Sequence, residues 1–331
     1  MKVQVRSATC RAIAAAILFA GIAGAQVADG ADDDVLVGNF FPYRAFEKLP
    51  ATRISVGGGK LNVAFGPGEL QLSHETVLAW VTRSARAVAW YFGRLPDSNA
   101  RLLIVPTGGS GIRGGTTYGY RGAASRIQIG NDTTESQLAR DWVLVHELVH
   151  HGLPNLEDEH HWMEEGLATY VEPIARAQAG ELSAESVWSD MVKGLPHGLP
   201  QPGDEGLDHT HTWGRTYWGG ALFYLLAEIE IRRRTDNRRG LQDALRAVVA
   251  AGGNISQSWP VEKVLAAGDE GTGTRVLTDL YGQMKDRPGN VDLPELWQRL
   301  GVSMRGETVT FDDSAPLASI RRAITAAPHP G

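Results

Sequence analysis

The amino-acid sequence predicts an α+β fold, because strand-like and helix-like patterns occupy different parts of its 331 residues. Between residues 41 and 130, short apolar runs alternate with glycine and proline, which is typical of strands joined by turns. Beyond residue 132, apolar residues recur at helical spacing and loops separate the segments. We therefore predict a strand-rich N-terminal lobe over residues 26–131 and a helical C-terminal lobe over residues 132–331 of the same domain.

The first 25 residues have the pattern of a secretory signal peptide. Basic residues precede an apolar run from Ala12 to Ala23, and the small residues Ala-Gly-Ala end the segment, which predicts cleavage before Gln26. No later segment is long and apolar enough for a transmembrane helix, so no stable membrane insertion is expected after cleavage. The only cysteine, Cys10, lies in the signal, so we expect an exported chain, periplasmic or secreted, without disulfides.

The N-terminal half is predicted to contain four strands and one long helix. The helix covers Ser73–Phe92, with the Ser73 hydroxyl as its N-cap. The last strand, Ala124–Gly130, is expected to be exposed and able to bind an extended peptide by strand addition. The four strand-like runs are RISVGGG (53–59), KLNVAFG (60–66), RLLIVPT (101–107) and SRIQIG (125–130).

A glycine-rich segment, Thr107–Gly122, contains G-x-G-x-x-G at Gly109, Gly111 and Gly114. A dinucleotide site requires a helix to begin at such a loop, because the helix N-terminus holds the pyrophosphate. Turn and strand patterns follow instead, and no Gly-Lys-Ser/Thr occurs there. We therefore predict a loop or hairpin that leads to the exposed strand.

A helix is predicted to begin after Asp132, because Glu135 stands three residues later as in a capping box. Its last turns contain His146-Glu147-Leu148-Val149-His150, the H-E-x-x-H motif. Spacing of four residues places His146 and His150 on one face, where both imidazoles can bind one metal ion. Glu147 lies beside the pair, where it can reach a water at the metal. The apolar stripe of this helix is Leu138, Trp142, Val145 and Val149.

Two histidines leave a catalytic zinc one protein ligand short. A metzincin would have Gly and His at positions 153 and 156, and both are leucine here. Acidic residues and histidines after the motif remain as candidates for the third ligand. They are Glu157, Asp158, Glu159, His160, His161, Glu164, Glu165 and Glu172.

His146–His150 followed by WMEEGLATY (162–170) resembles the gluzincin zinc metallopeptidases, in which a second helix opens with W-x-x-E-G. The resemblance implies a thermolysin-like fold, one zinc ion per chain, a peptide or protein substrate, and Glu165 as the third ligand. Gly166 and Ala168 are expected to keep this helix thin, so that it packs close to the histidine helix.

The segment TYWGGAL (216–222) resembles the Y-x-x-G segment of the glycyl and alanyl aminopeptidase families, and GNVDLPELWQRLGV (289–302) resembles the closing helices of the former. This likeness implies that the Tyr217 hydroxyl hydrogen-bonds the oxyanion. The G-x-M-E-N segment that holds a free α-amine in those enzymes does not occur here. Exopeptidase and endopeptidase action therefore both stay open.

We predict an exported zinc metallopeptidase in which Glu147 is the general base. The alternatives are a non-catalytic peptide-binding protein on the same fold and a zinc hydrolase of a non-peptide substrate. Glu172 is interpreted as either an acceptor for a ligand histidine N–H or a solvent-facing carboxylate. Histidines near the motif are either loop residues or residues that tune the site (His151, His160, His161), and His209 and His211 are candidates for lining the cleft.

The formal net charge of −6 argues against partners that are polyanions. One local basic run, residues 231–239, is interpreted as a solvated helix C-terminus, where cations suit the helix dipole. Nucleic acid is therefore not an expected partner.

Overall fold

The computed structural model describes residues 40–327, so the expected signal peptide lies outside the described residues. The first elements are helix α1 (Tyr43–Lys48), strands β1 (Ala51–Val56) and β2 (Gly59–Phe65), helix α2 (His74–Phe92), and strands β3 (Asn99–Thr107), β4 (Ile112–Tyr118) and β5 (Ala124–Gly130). Helices α3 (Glu135–Ala139), α4 (Val143–Val149), α5 (His161–Gln178) and α6 (Ala184–Gly194) follow, and a π-helical segment (Gly214–Gly219) leads into α7 (Gly220–Arg234). The C-terminal elements are α8 (Leu241–Ala250), α9 (Val261–Thr272), α10 (Val276–Met284), α11 (Leu293–Leu300), β6 (Val302–Arg305), β7 (Thr308–Phe311) and α12 (Ala318–Thr325).

The first five strands form one mixed sheet in the order β1-β2-β3-β5-β4. Strands β2, β3 and β5 are parallel to one another, while β1 and β4 pair antiparallel at the two edges. The expectation that Ala124–Gly130 is an exposed edge is wrong, because β3 and β4 pair with β5 on either side. The glycine-rich segment folds back as β4 and pairs with β5, so β4 is the edge strand on this side of the sheet.

Helix α2 confirms the predicted N-cap, since the Ser73 hydroxyl accepts a hydrogen bond from the Thr76 amide at 3.1 Å. The helix ends at Gly93, which adopts a left-handed conformation with φ of 76° that favours glycine. Its apolar side is buried in the same hydrophobic cluster as residues of the sheet and of α4, α5 and α7.

The single helix predicted from Asp132 to His150 is instead two helices, α3 and α4. Thr134 is the N-cap of α3, and the Asp141 carboxylate accepts from the amides of Val143 and Leu144 at 3.0 and 3.1 Å. Asp141 thereby satisfies free amides at the start of α4. The break also turns Trp142 outward, where 43% of it is exposed, although it belongs to the predicted apolar stripe.

Gly166 was expected to narrow α5 on the side of the histidine helix, but its free side faces α7. A Cβ atom at residue 166 would lie 2.3 Å from the Cα of Gly220, and one at residue 220 would lie 2.2 Å from the Trp162 carbonyl oxygen. The backbones of α5 and α7 therefore touch at these two glycines. This contact brings the π-helical segment before α7 close to the start of α5.

Among residues 40–327, no helix combines the length and the apolar character needed to cross a bilayer. The division into two lobes at residue 131 stays a prediction. Residues of the sheet and of the helices, from both sides of residue 131, contribute to one hydrophobic cluster.

Candidate metal centre

Helices α4 and α5 bring His146, His150 and Glu165 together in the protein interior. One ligand atom from each residue lies within 4.8 Å of the others. His146 Nε2 is 3.2 Å from Glu165 Oε2, and His150 Nε2 is 3.7 Å from Glu165 Oε1. These are the three residues that the motif and the family resemblance select.

The three side chains fit a zinc ion chemically as well as by position. Two imidazoles and one carboxylate are a donor set typical of catalytic zinc. His150 Nε2 is buried without a hydrogen-bond partner among the described residues, which is costly unless another group binds there. A cation between the three donor atoms would satisfy it.

The electrostatics of the centre hold two of its members in the protonation state that a metal requires. Burial lowers the pKa of His150 to about 3, so its imidazole is neutral at neutral pH. Burial alone would raise the pKa of Glu165, but His150 and His146 lower it to about 2. Burial likewise opposes the charged form of His146, yet the hydrogen bond and the charge of Glu165 raise its pKa. A bound cation would displace that proton.

Glu147 lies between α4 and the edge strand β4. Its Oε2 accepts a hydrogen bond from the Thr117 hydroxyl at 2.7 Å, while Oε1 has no hydrogen-bond partner among the described residues. Burial raises the pKa of Glu147 to about 7, against the opposing effects of His146 and Thr117. The side chain fits there because residue 115 is glycine, as a Cβ would lie 2.6 Å from Glu147 Cγ.

Tyr217 lies in the π-helical segment and points toward the same centre. Burial raises the pKa of its hydroxyl above the ordinary value, as do the charge of Glu165, a hydrogen bond to Glu165 and the charge of Glu147. The hydroxyl is therefore close to both carboxylates and stays protonated. π-Helical turns occur often at functional sites, and this one contains the buried Arg215.

Sequence reasoning missed Arg215, which is almost fully buried. Its Nη1 donates to the Gly198 carbonyl oxygen at 2.6 Å, and its Nε lies 2.7 Å from Asp204 Oδ2. A buried arginine is rarely left without a partner, and this pair joins the π-helical segment to the preceding loop. In the sequence, the only signal for this pairing is that an arginine stands two residues before Tyr217.

Glu172 is buried, so the interpretation as a solvent-facing carboxylate is wrong. Its Oε1 accepts from Arg176 Nη1 at 2.7 Å, and His146 Nδ1 has no hydrogen-bond partner among the described residues. Glu172 is therefore held by Arg176 instead of by a ligand histidine. Glu164 accepts from the Leu156 amide at 3.0 Å and fixes the loop before α5.

The remaining histidines have different surroundings. His161 Nδ1 is 3.1 Å from Glu164 and its Nε2 is 3.8 Å from Glu165, so His161 borders the centre. His160 instead pairs with the buried Asp208 at 3.1 Å. His209 is exposed and pairs with Asp286 at 3.1 Å. His211 is also exposed.

The comparisons with known proteins agree with this fold. No family model and no curated protein matches the chain. Among solved structures, an aminopeptidase N family protein from Idiomarina loihiensis matches with a TM-score of 0.58 and 15% identity. The match covers 77% of this chain and 49% of that one, so this chain spans about half the length of that neighbour. Over about three quarters of its length, the chain therefore shares the fold of that aminopeptidase N family protein.

An M1 zinc metallopeptidase from Deinococcus radiodurans is a further neighbour, with a TM-score of 0.48 and 15% identity. That match covers 73% of this chain and 52% of the neighbour.

Proposed function

We propose that this chain is an exported zinc metallopeptidase that hydrolyses peptide bonds. The observation that carries the proposal is the convergence of His146, His150 and Glu165, with Glu147 next to His146 in the chain. Among residues 40–327, Oε1 of Glu147 has no hydrogen-bond partner. Zinc held by the three side chains would supply Lewis-acid chemistry, polarising a carbonyl and acidifying a water.

Glu147 is proposed as the general base. Its Oε1 is available to take a proton from the attacking water and later to give it to the leaving nitrogen. Burial of the carboxylate raises the pKa of Glu147, which makes it a stronger proton acceptor.

Tyr217 is proposed to donate a hydrogen bond to the carbonyl oxygen as negative charge develops on it. Its protonated hydroxyl beside Glu165 and Glu147 supports this role. Arg215 is proposed to hold Tyr217 in place through its bonds to Gly198 and Asp204.

An extended peptide is the proposed substrate, and β4 is its proposed docking edge. Strand β4 is an edge strand of the sheet and lies against Glu147 at Gly115, so a peptide paired with it passes the base. Its sequence, IRGGTTY, contains no carboxylate that could hold a free α-amine. We therefore expect cleavage of internal bonds.

Two exposed tryptophans border the centre and favour substrates with apolar side chains near the cleaved bond. The Trp142 ring packs edge-on against His146 at 5.5 Å, and the Trp213 ring stacks with Tyr217 at 6.2 Å between centroids. Trp213 is 60% exposed, which leaves its surface free for an apolar group.

Metal content and cleavage of a mixed peptide library test the proposal with three samples: wild type, Glu147→Gln and chelated protein. We expect one zinc per chain and internal cleavage by the wild type only. Glu159→Gln, at an exposed carboxylate, is the matched control and should cleave normally. Normal cleavage by Glu147→Gln would overturn the mechanism, and peptide binding without cleavage would indicate the non-catalytic alternative. N-terminal sequencing of exported protein should begin at Gln26.

A further inference from the structure

A line of hydrogen bonds leads from His151 to Glu147. His151 Nε2 is 2.8 Å from the Ser125 hydroxyl oxygen, which is 3.0 Å from the Thr117 hydroxyl oxygen. Thr117 in turn donates to Glu147 Oε2 at 2.7 Å. Ser125 and His151 are completely buried, so water does not compete for these bonds.

Three elements supply the members of this line. Thr117 and Ser125 are directly opposite each other on β4 and β5, whereas Glu147 and His151 lie on and just after α4. The line therefore ties the edge of the sheet to the helix that presents the metal ligands. Residues so far apart in sequence meet only through the antiparallel pairing of β4 with β5.

While Glu147 is ionised, the donors along this line point in one direction. An ionised Glu147 carboxylate can accept but not donate, so the single proton of Thr117 is directed to Glu147. Thr117 must then accept from Ser125, and Ser125 must accept from His151. This order requires the proton of the neutral His151 ring to be on Nε2. Bonds aligned in this way strengthen one another in a buried setting.

As a consequence, the two carboxylate oxygens of Glu147 differ in their hydrogen bonding. Thr117 holds Oε2 and also lies 2.9 Å from the backbone carbonyl oxygen of Glu147, so one hydroxyl contacts both ends of the residue. Gly115 packs against the other side of the carboxylate, where a Cβ would be 2.8 Å from Oε1. Oε1 is left without a hydrogen-bond partner among the described residues.

We propose that Thr117, supported by Ser125 and His151, is a positioning residue that orients the Glu147 carboxylate so that Oε1 faces the attacking water. This inference rests on the proposed function, in which Glu147 is the base. Thr117 acts through Glu147 and contacts neither the metal ligands nor the substrate in this role.

Two substitutions at one position test the inference. Thr117→Val keeps the side-chain shape but removes the hydroxyl, and Thr117→Ser keeps the hydroxyl. In Thr117→Val we expect kcat to fall about tenfold to a hundredfold, because a misplaced catalytic group costs that much, with KM changed less than about threefold. Zinc content should stay at one per chain, and Thr117→Ser should keep most of the wild-type kcat.

Further variants separate positioning from general damage to the fold. Ser125→Ala should lower kcat less than Thr117→Val does, and adding it to Thr117→Val should cause no additional loss, because both act through one line of bonds. The control is Thr82→Val in α2, where another half-buried hydroxyl donates to the Leu78 carbonyl oxygen at 2.7 Å. It should leave kcat unchanged.

A crystal structure of zinc-loaded Thr117→Val gives a readout independent of activity. We expect the Glu147 carboxylate to rotate or to occupy two orientations, and to keep its single orientation in Thr117→Ser. An unchanged Glu147 in Thr117→Val, or a kcat within about twofold of the wild type, would overturn the inference. If the wild type cleaves no peptide, the proposed function fails, and the Glu147 orientation still decides whether Thr117 positions it.

Discussion

Gly115 and Glu147 are in contact across the boundary between β4 and α4, and the fit leaves no room for a side chain at residue 115. An added Cβ would lie 2.6 Å from Glu147 Cγ and 2.8 Å from Oε1, well inside van der Waals contact. We expect Gly115→Ala to displace the proposed base and to lower kcat at least tenfold. A tenfold loss corresponds to an activation barrier raised by about 1.4 kcal/mol. Steady-state kinetics measure this.

The control for that substitution is Gly114→Ala on the same strand. Its Cβ would meet only Gln128 Oε1, at an ordinary distance of 3.7 Å. A much smaller effect on kcat is expected. Equal losses in the two variants would show that β4 tolerates no alanine, whatever its contact with Glu147.

Tyr217→Phe tests the proposed oxyanion contact. The substitution removes the hydroxyl and keeps the ring that stacks with Trp213, so zinc binding and KM should change little. We expect kcat to fall about a hundredfold, as for loss of one oxyanion donor. A larger effect on KM than on kcat would assign Tyr217 to substrate binding instead.

Zinc should stabilise the folded chain, because its ligands converge only in the folded state. Free zinc at 100 times its dissociation constant would add about 2.7 kcal/mol to the free energy of unfolding. Thermal unfolding with and without zinc measures this. Glu165→Gln replaces the anionic ligand by a neutral amide and should reduce the zinc-dependent rise in Tm, whereas an equal rise would exclude Glu165 as a ligand.

The contact between Gly166 and Gly220 predicts that Gly220→Ala destabilises the fold by about 2 kcal/mol or more, since a Cβ would lie 2.2 Å from the Trp162 carbonyl oxygen. Chemical denaturation measures this. Gly282→Ala in α10 is the control, because a Cβ there meets nothing within 4 Å. It should stabilise by about 0.5 kcal/mol, since alanine has less freedom than glycine in the unfolded chain.

The His160–Asp208 pair predicts a pH dependence of stability. Burial alone would lower the pKa of His160, but its hydrogen bond to Asp208 and the nearby carboxylates raise it. A histidine whose pKa is raised by folding stabilises the protein fully below its unfolded pKa, about 6.5, and loses this contribution as pH rises through the folded pKa. The free energy of unfolding should therefore differ more between wild type and His160→Gln at about pH 5.5 than at about pH 9.

A matched variant separates this effect from other titrations. His209→Gln removes a histidine whose pairing with Asp286 is exposed to solvent, so screening makes the pair weak. Its difference from the wild type should be small at both pH values. A His160→Gln difference that grows with pH would contradict the assigned direction.

The sequence alone determined those features that depend on neighbouring residues. The spacing of His146 and His150 is set by the helix period, and the Ser73 cap depends on residues three positions apart. Short apolar runs bounded by glycine predicted the strands within a few residues. Glu165 was selected as the third zinc ligand because the segment around it resembles the W-x-x-E-G segment of the gluzincins.

Only the tertiary structure decided which strand forms the edge, where the histidine helix begins, and what surrounds Glu147. Strand order depends on the folding back of β4, which places Thr117 opposite Ser125 and both beside α4. Arg215 is buried only because Asp204 and Gly198 meet it from a separate loop. Local periodicity does not predict the partners of Thr117 or Arg215, because packing between segments distant in sequence decides which residues pair.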